Sequence, residues 1–387
     1  MEGSKDENLY VKGSPKLTTF TVPFILEKNN KRKISSDDRM NTLSQEKIIN
    51  KAFNFHLEGN LKEAIKYYEY CINHNFNDPK IFMNYGIILK DLGKLKEAEL
   101  AQRKAIELKP DYSYAYCNLG GILKELGIFE EAELLTRKAL ELNPDLTESY
   151  ANLAVILRET GNLNDAKLFI NKAIELNPDS ASSYLNLANI LRDQMKLKES
   201  EIVTRKAIRM NPNLTEAYVN LGNLLQETGK LKQAEIPFLK AIDLKPDYSE
   251  AIFNLSLIQM FQGDYNSGLR NYESRFSLKK KVKLHALPQL PRWYGETPEK
   301  EKKLLVISEQ GLGDTIHFMR YIPYLKDQGY KVKFSAQKTL HSIIKESGID
   351  SNPLTNDQVN QVLDGKYCPL LSLPLHLGVS HNYPIIS

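Results

Sequence analysis

Aromatic, apolar and amide side chains occupy three consecutive positions of a unit that repeats every 34 residues. Phe82-Met83-Asn84 is one example, and Tyr150-Ala151-Asn152 is the same triplet two units later. The amide position holds Asn84, Asn118, Asn152, Asn186, Asn220 and Asn254. A fixed period of this length predicts a helical hairpin copied in tandem, in which each copy packs against its neighbours and the array presents an extended binding surface.

Small and helix-breaking residues recur in the same register. A Gly near the middle of most units predicts the end of a first helix and a turn, although Met195 stands there in the fifth unit. Two small positions follow, for example Ala98 and Ala105, as a close contact between helices requires. From the second unit to the sixth, a Pro near the end of the unit lacks the N–H needed to prolong the second helix.

Asn-Leu-Gly at 118–120 and 220–222, the central Gly, the paired small positions and the Pro together resemble the tetratricopeptide repeat. The resemblance implies a mainly α fold, a right-handed α-solenoid of about seven helical hairpins. The units fall at 45–78, 79–112, 113–146, 147–180, 181–214, 215–248 and 249–278.

The asparagine row is the first candidate site. Stacking of the first helices is expected to line the amides along a concave groove, where they could hold the backbone of an extended peptide. Such a row occurs in the tetratricopeptide region of the O-linked N-acetylglucosamine transferases, which the sequence resembles at this position. We therefore predict peptide binding by Asn84, Asn118, Asn152, Asn186, Asn220 and Asn254. The alternative is that asparagine serves local hydrogen bonds here.

Two other repeated positions indicate which kinds of peptide the predicted groove could bind. The residue before each Asn is apolar, whereas a clamp for a peptide's terminal carboxylate would need Lys there. Later in the first helix, pairs such as Lys90-Asp91 and Arg158-Glu159 predict a solvated rim of charges that pair with each other.

The repeat pattern breaks at Arg275, where a small residue is due. Residues 279–299 are basic and contain several Pro, which predicts a linker. From 300 to 387, an apolar run at 304–307, a Gly-rich turn, a helix and a second strand predict a small, incomplete Rossmann-like α/β lobe.

Gly311-Leu312-Gly313-Asp314-Thr315, followed by Arg320-Tyr321-Ile322-Pro323, resembles the N-terminal lobe of family 9 glycosyltransferases, the heptosyltransferase-like enzymes. It is still more similar to bacterial proteins that join tetratricopeptide repeats to such a module. The resemblance implies that Asp314 is a general base, and the alternative is that Asp314 caps the next helix. Two glycines also let backbone N–H groups approach a ligand. The candidate ligand-binding residues are Glu309, Gln310, Gly311, Gly313 and Thr315.

In that family the nucleotide-sugar binds mainly in a second lobe, whereas this chain stops at Ser387. We therefore expect a binding scaffold for a protein or peptide, without cofactor and without activity alone. One alternative is a part of a glycosyltransferase whose donor lobe is missing or is supplied in trans, with a nucleotide-sugar as partner. Another is a scaffold that acts through its outer face.

Composition excludes several other classes. A formal net charge of +4 on 387 residues is too small to indicate nucleic-acid binding, and no apolar run approaches the ~20 residues of a membrane span. Residues 1–44 predict a disordered polar tail rather than a secretion signal. Three cysteines suit a reducing compartment, hence the cytoplasm. The histidines at 317, 341, 376 and 381 lack companions at ligand spacing, so no metal is expected.

Overall fold

The computed structural model describes residues 44–279, 282–296, 303–309 and 311–378. The predicted tail therefore lies outside the described residues, except for Ser44. The chain divides into two compact parts between Asn220 and Leu221, and each part is described by itself.

Fourteen helices of the described residues form seven consecutive hairpins. The first part holds α1 (Gln45–Leu57), α2 (Leu61–Asn73), α3 (Pro79–Asp91), α4 (Leu95–Leu108), α5 (Ser113–Glu125), α6 (Phe129–Leu142), α7 (Thr147–Glu159), α8 (Leu163–Leu176), α9 (Ala181–Asp193), α10 (Leu197–Met210) and the start of α11 (Thr215–Glu227). The second part continues with α12 (Leu231–Leu244), α13 (Ser249–Phe261) and α14 (Tyr265–Tyr272). The predicted run of helical hairpins is confirmed.

The turn inside each hairpin requires a left-handed backbone conformation. Gly93 has φ +76° and Gly161 has φ +84°, values that cost glycine no steric energy. Met195 adopts the same turn with φ +61°, and its side chain is 77% exposed. The fifth hairpin therefore keeps the turn geometry of the others with a residue that is strained there.

Small residues let the two helices of a hairpin approach closely. A Cβ placed on Gly120 would lie 2.2 Å from Thr136 Oγ1, so an alanine there would force Thr136 to move. In the fifth hairpin, Ser200 replaces the usual Ala and is fully buried. Its hydroxyl donates to the Ala188 carbonyl at 2.7 Å, which satisfies the extra polar group.

The second part ends in an α/β lobe built around three short strands. Its elements are β1 (Lys303–Ile307), α15 (Leu312–Phe318), α16 (Tyr321–Asp327), β2 (Lys331–Ser335), α17 (His341–Glu346), α18 (Asn356–Val359), β3 (Lys366–Pro369) and α19 (Leu373–His376). The strands are parallel and ordered β2-β1-β3, with Val306 beside Phe334 on one side and Cys368 on the other. This small parallel sheet is consistent with the predicted lobe.

Both faces of β1 are buried. Leu304 and Val306 point into a core shared with Phe334 and Trp293, whereas Leu305 and Ile307 pack against Ala286 and the region of α18. A strand whose side chains are buried on both faces is typical of the centre of a parallel sheet.

The segment predicted as a linker packs against the lobe. Trp293 N donates to the Tyr367 carbonyl at 2.7 Å, and Tyr367 N donates to the Pro291 carbonyl at 2.9 Å, which adds a short pairing beside β3. Trp293 is 3% exposed. Residues 282–296 are therefore part of the lobe, because a buried aromatic ring and backbone hydrogen bonds fix them there. Lys280 and Lys281 lie outside the described residues.

No helix among the described residues combines the length and apolarity of a bilayer span. Within the same residues, no group of three or more His, Cys, Asp or Glu side chains is placed to hold a metal ion.

Candidate functional site

The asparagine row is buried within the first helices of the hairpins. None of its amides belongs to a residue more than 6% exposed. The members in the first part are Asn84, Asn118, Asn152, Asn186 and Asn220, and Asn254 lies in the second part. The sequence shows the row as a repeated position but gave no sign of this burial, and peptide binding by the row stays a prediction.

Several of these amides bond to a neighbouring hairpin. Asn152 Nδ2 donates to Cys117 Sγ at 3.4 Å, and Asn220 Nδ2 donates to Thr204 Oγ1 at 3.2 Å. In the second part, Asn254 Nδ2 donates to Asn223 Oδ1 at 2.9 Å. These contacts correspond to the local role that the sequence left open as an alternative to peptide binding.

Two buried amides in the first part are different. Among the described residues, neither the nitrogen nor the oxygen of the Asn84 side chain has a hydrogen-bond partner, and the same holds for Asn189. Both residues are 0% exposed. A buried amide without partners costs about 1–3 kcal/mol for each lost hydrogen bond, so these two side chains have capacity to bind a group that reaches them.

The charged positions near the end of the first helices form ion pairs between successive hairpins. The Lys90 side chain is 7% exposed and its Nζ lies 3.5 Å from Glu125 Oε1. The Arg158 side chain is 5% exposed and its Nε lies 2.5 Å from Asp193 Oδ2. The predicted solvated rim is therefore partly buried, because Lys90 and Arg158 each reach an acid of the next hairpin, and Arg158 also keeps its sequence neighbour Glu159 at 3.6 Å.

The Gly-rich turn of the lobe is held by Gln337. Thr315 Oγ1 donates to the Gly311 carbonyl at 2.9 Å and to Gln337 Oε1 at 3.1 Å, and Ser308 Oγ donates to the same oxygen at 3.1 Å. Gln337 in turn donates to the Glu309 carbonyl. The sequence did not single out Gln337, because it lies 22 residues beyond the turn.

Asp314 lies in the first turn of α15 and is half-buried. The residue that precedes the helix is Gly311, and no side chain caps it, so Asp314 does not take the capping role that was its alternative. A Cβ on Gly311 would lie 2.5 Å from Asp314 Oδ2, so a larger residue there would displace the Asp314 carboxylate. Gln310, also predicted in this site, lies outside the described residues. The assignment of Asp314 as a general base stays a prediction.

Arg275 is the functional feature that sequence reasoning missed, although its break with the small-residue pattern was visible. Its side chain is 0% exposed. The guanidinium donates to both carboxylate oxygens of Glu309, at 3.0 and 2.8 Å, and to Ser372 Oγ at 2.9 Å. It also donates to Glu273 Oε1 at 2.7 Å.

Arg292 completes this group, which we call the Arg275 cluster: Arg275, Glu309, Ser372, Glu273 and Arg292. Arg292 donates to Glu273 and, at 3.1 Å, to Ser372 Oγ. Burial acts to raise the pKa of Glu273, but the two arginines and Ser372 outweigh it and hold that pKa below its usual value. Both carboxylates are therefore matched by charge-assisted hydrogen bonds.

The cluster lies at the carboxyl ends of the strands, because Glu309 follows β1 and Ser372 follows β3. In open parallel sheets this is the edge where ligands bind, at the point where the strand order changes direction. Here a side chain from the end of the last hairpin occupies that place. The carboxylate of Glu309, predicted to bind a ligand, is already engaged by Arg275.

Comparison with known protein families shows what the hairpins are. Residues 79–112, 113–146 and 147–180 match one tetratricopeptide repeat family, and residues 169–201 and 203–236 match a second. The chain contains tetratricopeptide repeats. The matches lie within residues 79–236, and the glycosyltransferase resemblance of the lobe is not supported by them.

Solved structures agree on the fold of the tetratricopeptide hairpins. A tetratricopeptide repeat protein from Parabacteroides merdae ATCC 43184 is 20% identical, with 61% of this chain and 93% of that chain covered and a TM-score of 0.51. The Cut9–Hcn1 hetero-tetramer of APC/C is 11% identical, with coverages of 61% and 44% and the same TM-score. At these identities the similarity shows the fold alone. No curated protein sequence matches the chain.

Proposed function

We propose that the tetratricopeptide hairpins form a binding scaffold for a protein or peptide partner. The observation that carries the proposal is the pair of buried amides, Asn84 and Asn189, whose hydrogen-bonding atoms are unpaired although they sit within copies of a repeated unit. A peptide backbone offers the matching carbonyl and N–H groups.

The asparagine row remains part of this proposal, with Asn118, Asn152, Asn186 and Asn220 along the bound backbone. Each neutral hydrogen bond to a partner contributes about 0.5–1.5 kcal/mol, so loss of one amide is expected to be mild and loss of four severe. Partner binding requires that the side chains covering the row move aside, because the amides are buried in the free protein.

The two unpaired amides allow a test that separates binding from folding. Asn84→Ala with Asn189→Ala removes no side-chain hydrogen bond of the described structure, so the double variant should stay folded and lose only the packing of two shortened side chains. Partners captured by the full chain would be identified by mass spectrometry, and their affinity for the double variant measured by calorimetry.

We expect a loss of affinity of about tenfold or more for the double variant, since two amides contribute at least one hydrogen bond each. Asn171→Ala, an exposed amide on α8, is the matched control and should bind normally. Equal affinity of the double variant and the control would refute a role for these amides.

We also propose that the lobe contributes no sugar transfer by itself. The glycosyltransferase resemblance implies a ligand site at the turn after β1, whereas Arg275 occupies the ligand edge of the parallel sheet. Turnover of a nucleotide-sugar by the isolated chain, abolished by Asp314→Asn, would establish the catalytic alternative.

Cys71, Cys117 and Cys368 are buried and form no disulfide, which supports a cytoplasmic location.

A further inference from the structure

The second helices of hairpins two to five each leave one large aliphatic side chain exposed at the same place in the repeat. Leu100, Leu134, Leu168 and Ile202 are 67, 68, 65 and 67% exposed. We call these four residues the outer row. A single exposed leucine is ordinary, but the same exposure in four consecutive hairpins forms a repeated apolar surface.

Charges flank the outer row with the same regularity. An acidic residue stands three positions before each member, at Glu97, Glu131, Asp165 and Glu199. A lysine stands four positions after each member, at Lys104, Lys138, Lys172 and Lys206. Because these spacings are one helical turn, each helix presents an acid, an aliphatic and a lysine along one outward face. The outer row thus has an acidic side and a basic side.

The lysines on the basic side can change partners at little cost. Lys138 Nζ lies 2.9 Å from Glu141 Oε2 and Lys172 Nζ lies 2.9 Å from Glu175 Oε2, both in exposed pairs within one helix. Exposed pairs of this kind contribute little to stability. Lys206 has Arg209 in place of that acid and donates instead to Tyr184 Oη at 2.8 Å.

A surface with these two sides complements a copy of itself. If a twofold axis runs along the outer row, the rows of two copies lie in parallel and the acidic side of each copy faces the basic side of the other. If the axis runs across the row, like charges meet. The self-complementary arrangement also places each aliphatic against its own counterpart and removes it from water.

We propose that the outer row is a self-association surface, which joins two copies of this chain about a twofold axis parallel to the row. This inference goes beyond the proposed groove function, because it uses the opposite helices of the hairpins and a different partner. Aliphatic contacts supply the affinity, and the acid and lysine sides fix the parallel orientation.

The mass of the full chain in solution, measured by sedimentation equilibrium, tests the aliphatic part of the proposal. The parent protein should approach twice the chain mass as concentration rises. Leu134→Ser with Leu168→Ser should raise the dissociation constant of the dimer by about a hundredfold or more. Leu92→Ser with Met195→Ser, which removes two exposed apolar residues outside the row, is the matched control and should dimerise normally.

A charge exchange tests the orientation. In hairpins four and five, Lys172→Glu with Lys206→Glu makes both sides of the row acidic, and Asp165→Lys with Glu199→Lys makes both sides basic. Each variant alone should be monomeric, and an equimolar mixture should form a heterodimer of parental affinity within about tenfold. Circular dichroism would confirm that each variant is folded.

Three results would overturn the proposal. The first is a parent protein that stays monomeric at all concentrations. This result would count against self-association even if the outer-row variant failed to bind some other protein. The second is a row variant that dimerises as well as the control. The third is a pair of charge variants that dimerise alone, or that do not associate with each other when mixed.

Discussion

One slot of the 34-residue unit is filled in two different ways along this chain. In hairpins one to six it holds a small residue, all of them 0% exposed: Cys71, Ala105, Ala139, Ala173, Ala207 and Ala241. In the seventh unit the same slot holds Arg275, which lies in a short 3-10 helix (Glu273–Ser277) just after α14 and is equally buried. In the repeats, small residues in this slot allow close packing of helices. At the junction with the lobe, Arg275 in the same slot forms ion pairs instead.

The two solutions distribute stability differently. A small residue allows close packing with an adjacent helix, so its effect is local and is repeated in each hairpin. The Arg275 cluster joins Arg275 to Glu309 and to Ser372, partners that are 34 and 97 residues away in sequence. The junction therefore depends on one cluster of buried and half-buried ion pairs, whereas the repeats depend on many equivalent contacts.

The largest effect is expected from loss of the Arg275 side chain. Arg275→Met leaves Glu309 buried without its partner, which should destabilise the lobe by about 3–5 kcal/mol. Trp293 is the only tryptophan of the chain and lies in the lobe core, so its fluorescence during urea unfolding reports the lobe specifically.

Two further variants make the test of Arg275 specific. Arg275→Met with Glu309→Gln should recover part of the loss, because it removes the unpaired buried charge. Arg103→Met, at an exposed pair with Glu99, should change stability by less than about 1 kcal/mol. An Arg275 variant as stable as the Arg103 variant would show that the junction is not held by charge.

Gly222 offers a test of close packing between the helices of a hairpin. A Cβ there would lie 2.6 Å from two ring carbons of Phe238, so Gly222→Ala should destabilise the sixth hairpin by about 2 kcal/mol despite the better helix propensity of alanine. Phe238→Leu should relieve part of this cost. Thermal unfolding followed by circular dichroism would measure both variants, and parental stability of the Gly222→Ala variant would contradict close packing at this position.

The first hairpin should respond to acid pH more strongly than the third hairpin, which contains no histidine. Burial lowers the pKa of His56 from 6.5 to about 4. The folded state thus favours neutral His56, and the corresponding stability is fully present above pH 6.5 and is lost as the pH falls toward 4. We expect about 1–2 kcal/mol, reduced by the partial exposure of the ring.

Hydrogen exchange of hairpins one and three at pH 7 and pH 4.5 would measure this difference. His56→Gln should remove the extra pH sensitivity of the first hairpin. The lowered pKa of Glu273 means that the contribution of this carboxylate to stability is lost only as the pH falls below 4.5, its ordinary pKa. Equal loss of protection in both hairpins would argue against His56 as the cause.

The smallest effect concerns the turn of the fifth hairpin. Met195→Gly should stabilise the protein by about 1 kcal/mol, because it relieves a left-handed residue whose exposed side chain makes little contact. Gly161→Ala, at the same turn of the fourth hairpin, should destabilise by a similar amount. Chemical denaturation would compare them, and equal shifts in the same direction would refute turn strain as the source.

The hairpins could be predicted from sequence because their causes are local and repeated. A turn glycine such as Gly161 and a contact residue such as Ala166 stand at fixed distances, so the helices and their pairing follow from the register. The strand at 303–307 was also predictable, since a central parallel strand is apolar on both faces.

The contents of the junction could not be predicted in the same way. The partners of Arg275 depend on the folded lobe, and the sequence shows only that a small residue is missing. The burial of Trp293 was hidden by a surrounding segment that is polar and rich in Pro. The unpaired amide of Asn84 likewise depends on which side chains of neighbouring hairpins reach it.

The arginine in the small-residue slot also bears on how such a chain can change over evolution. Duplication or loss of one 34-residue unit among hairpins two to five would reproduce the same contacts, since each unit offers its neighbours equivalent surfaces. The seventh hairpin has no such freedom, because Arg275 must meet Glu309 and Ser372. The array can therefore vary in length upstream, while its last hairpin and the lobe are inherited as a single unit.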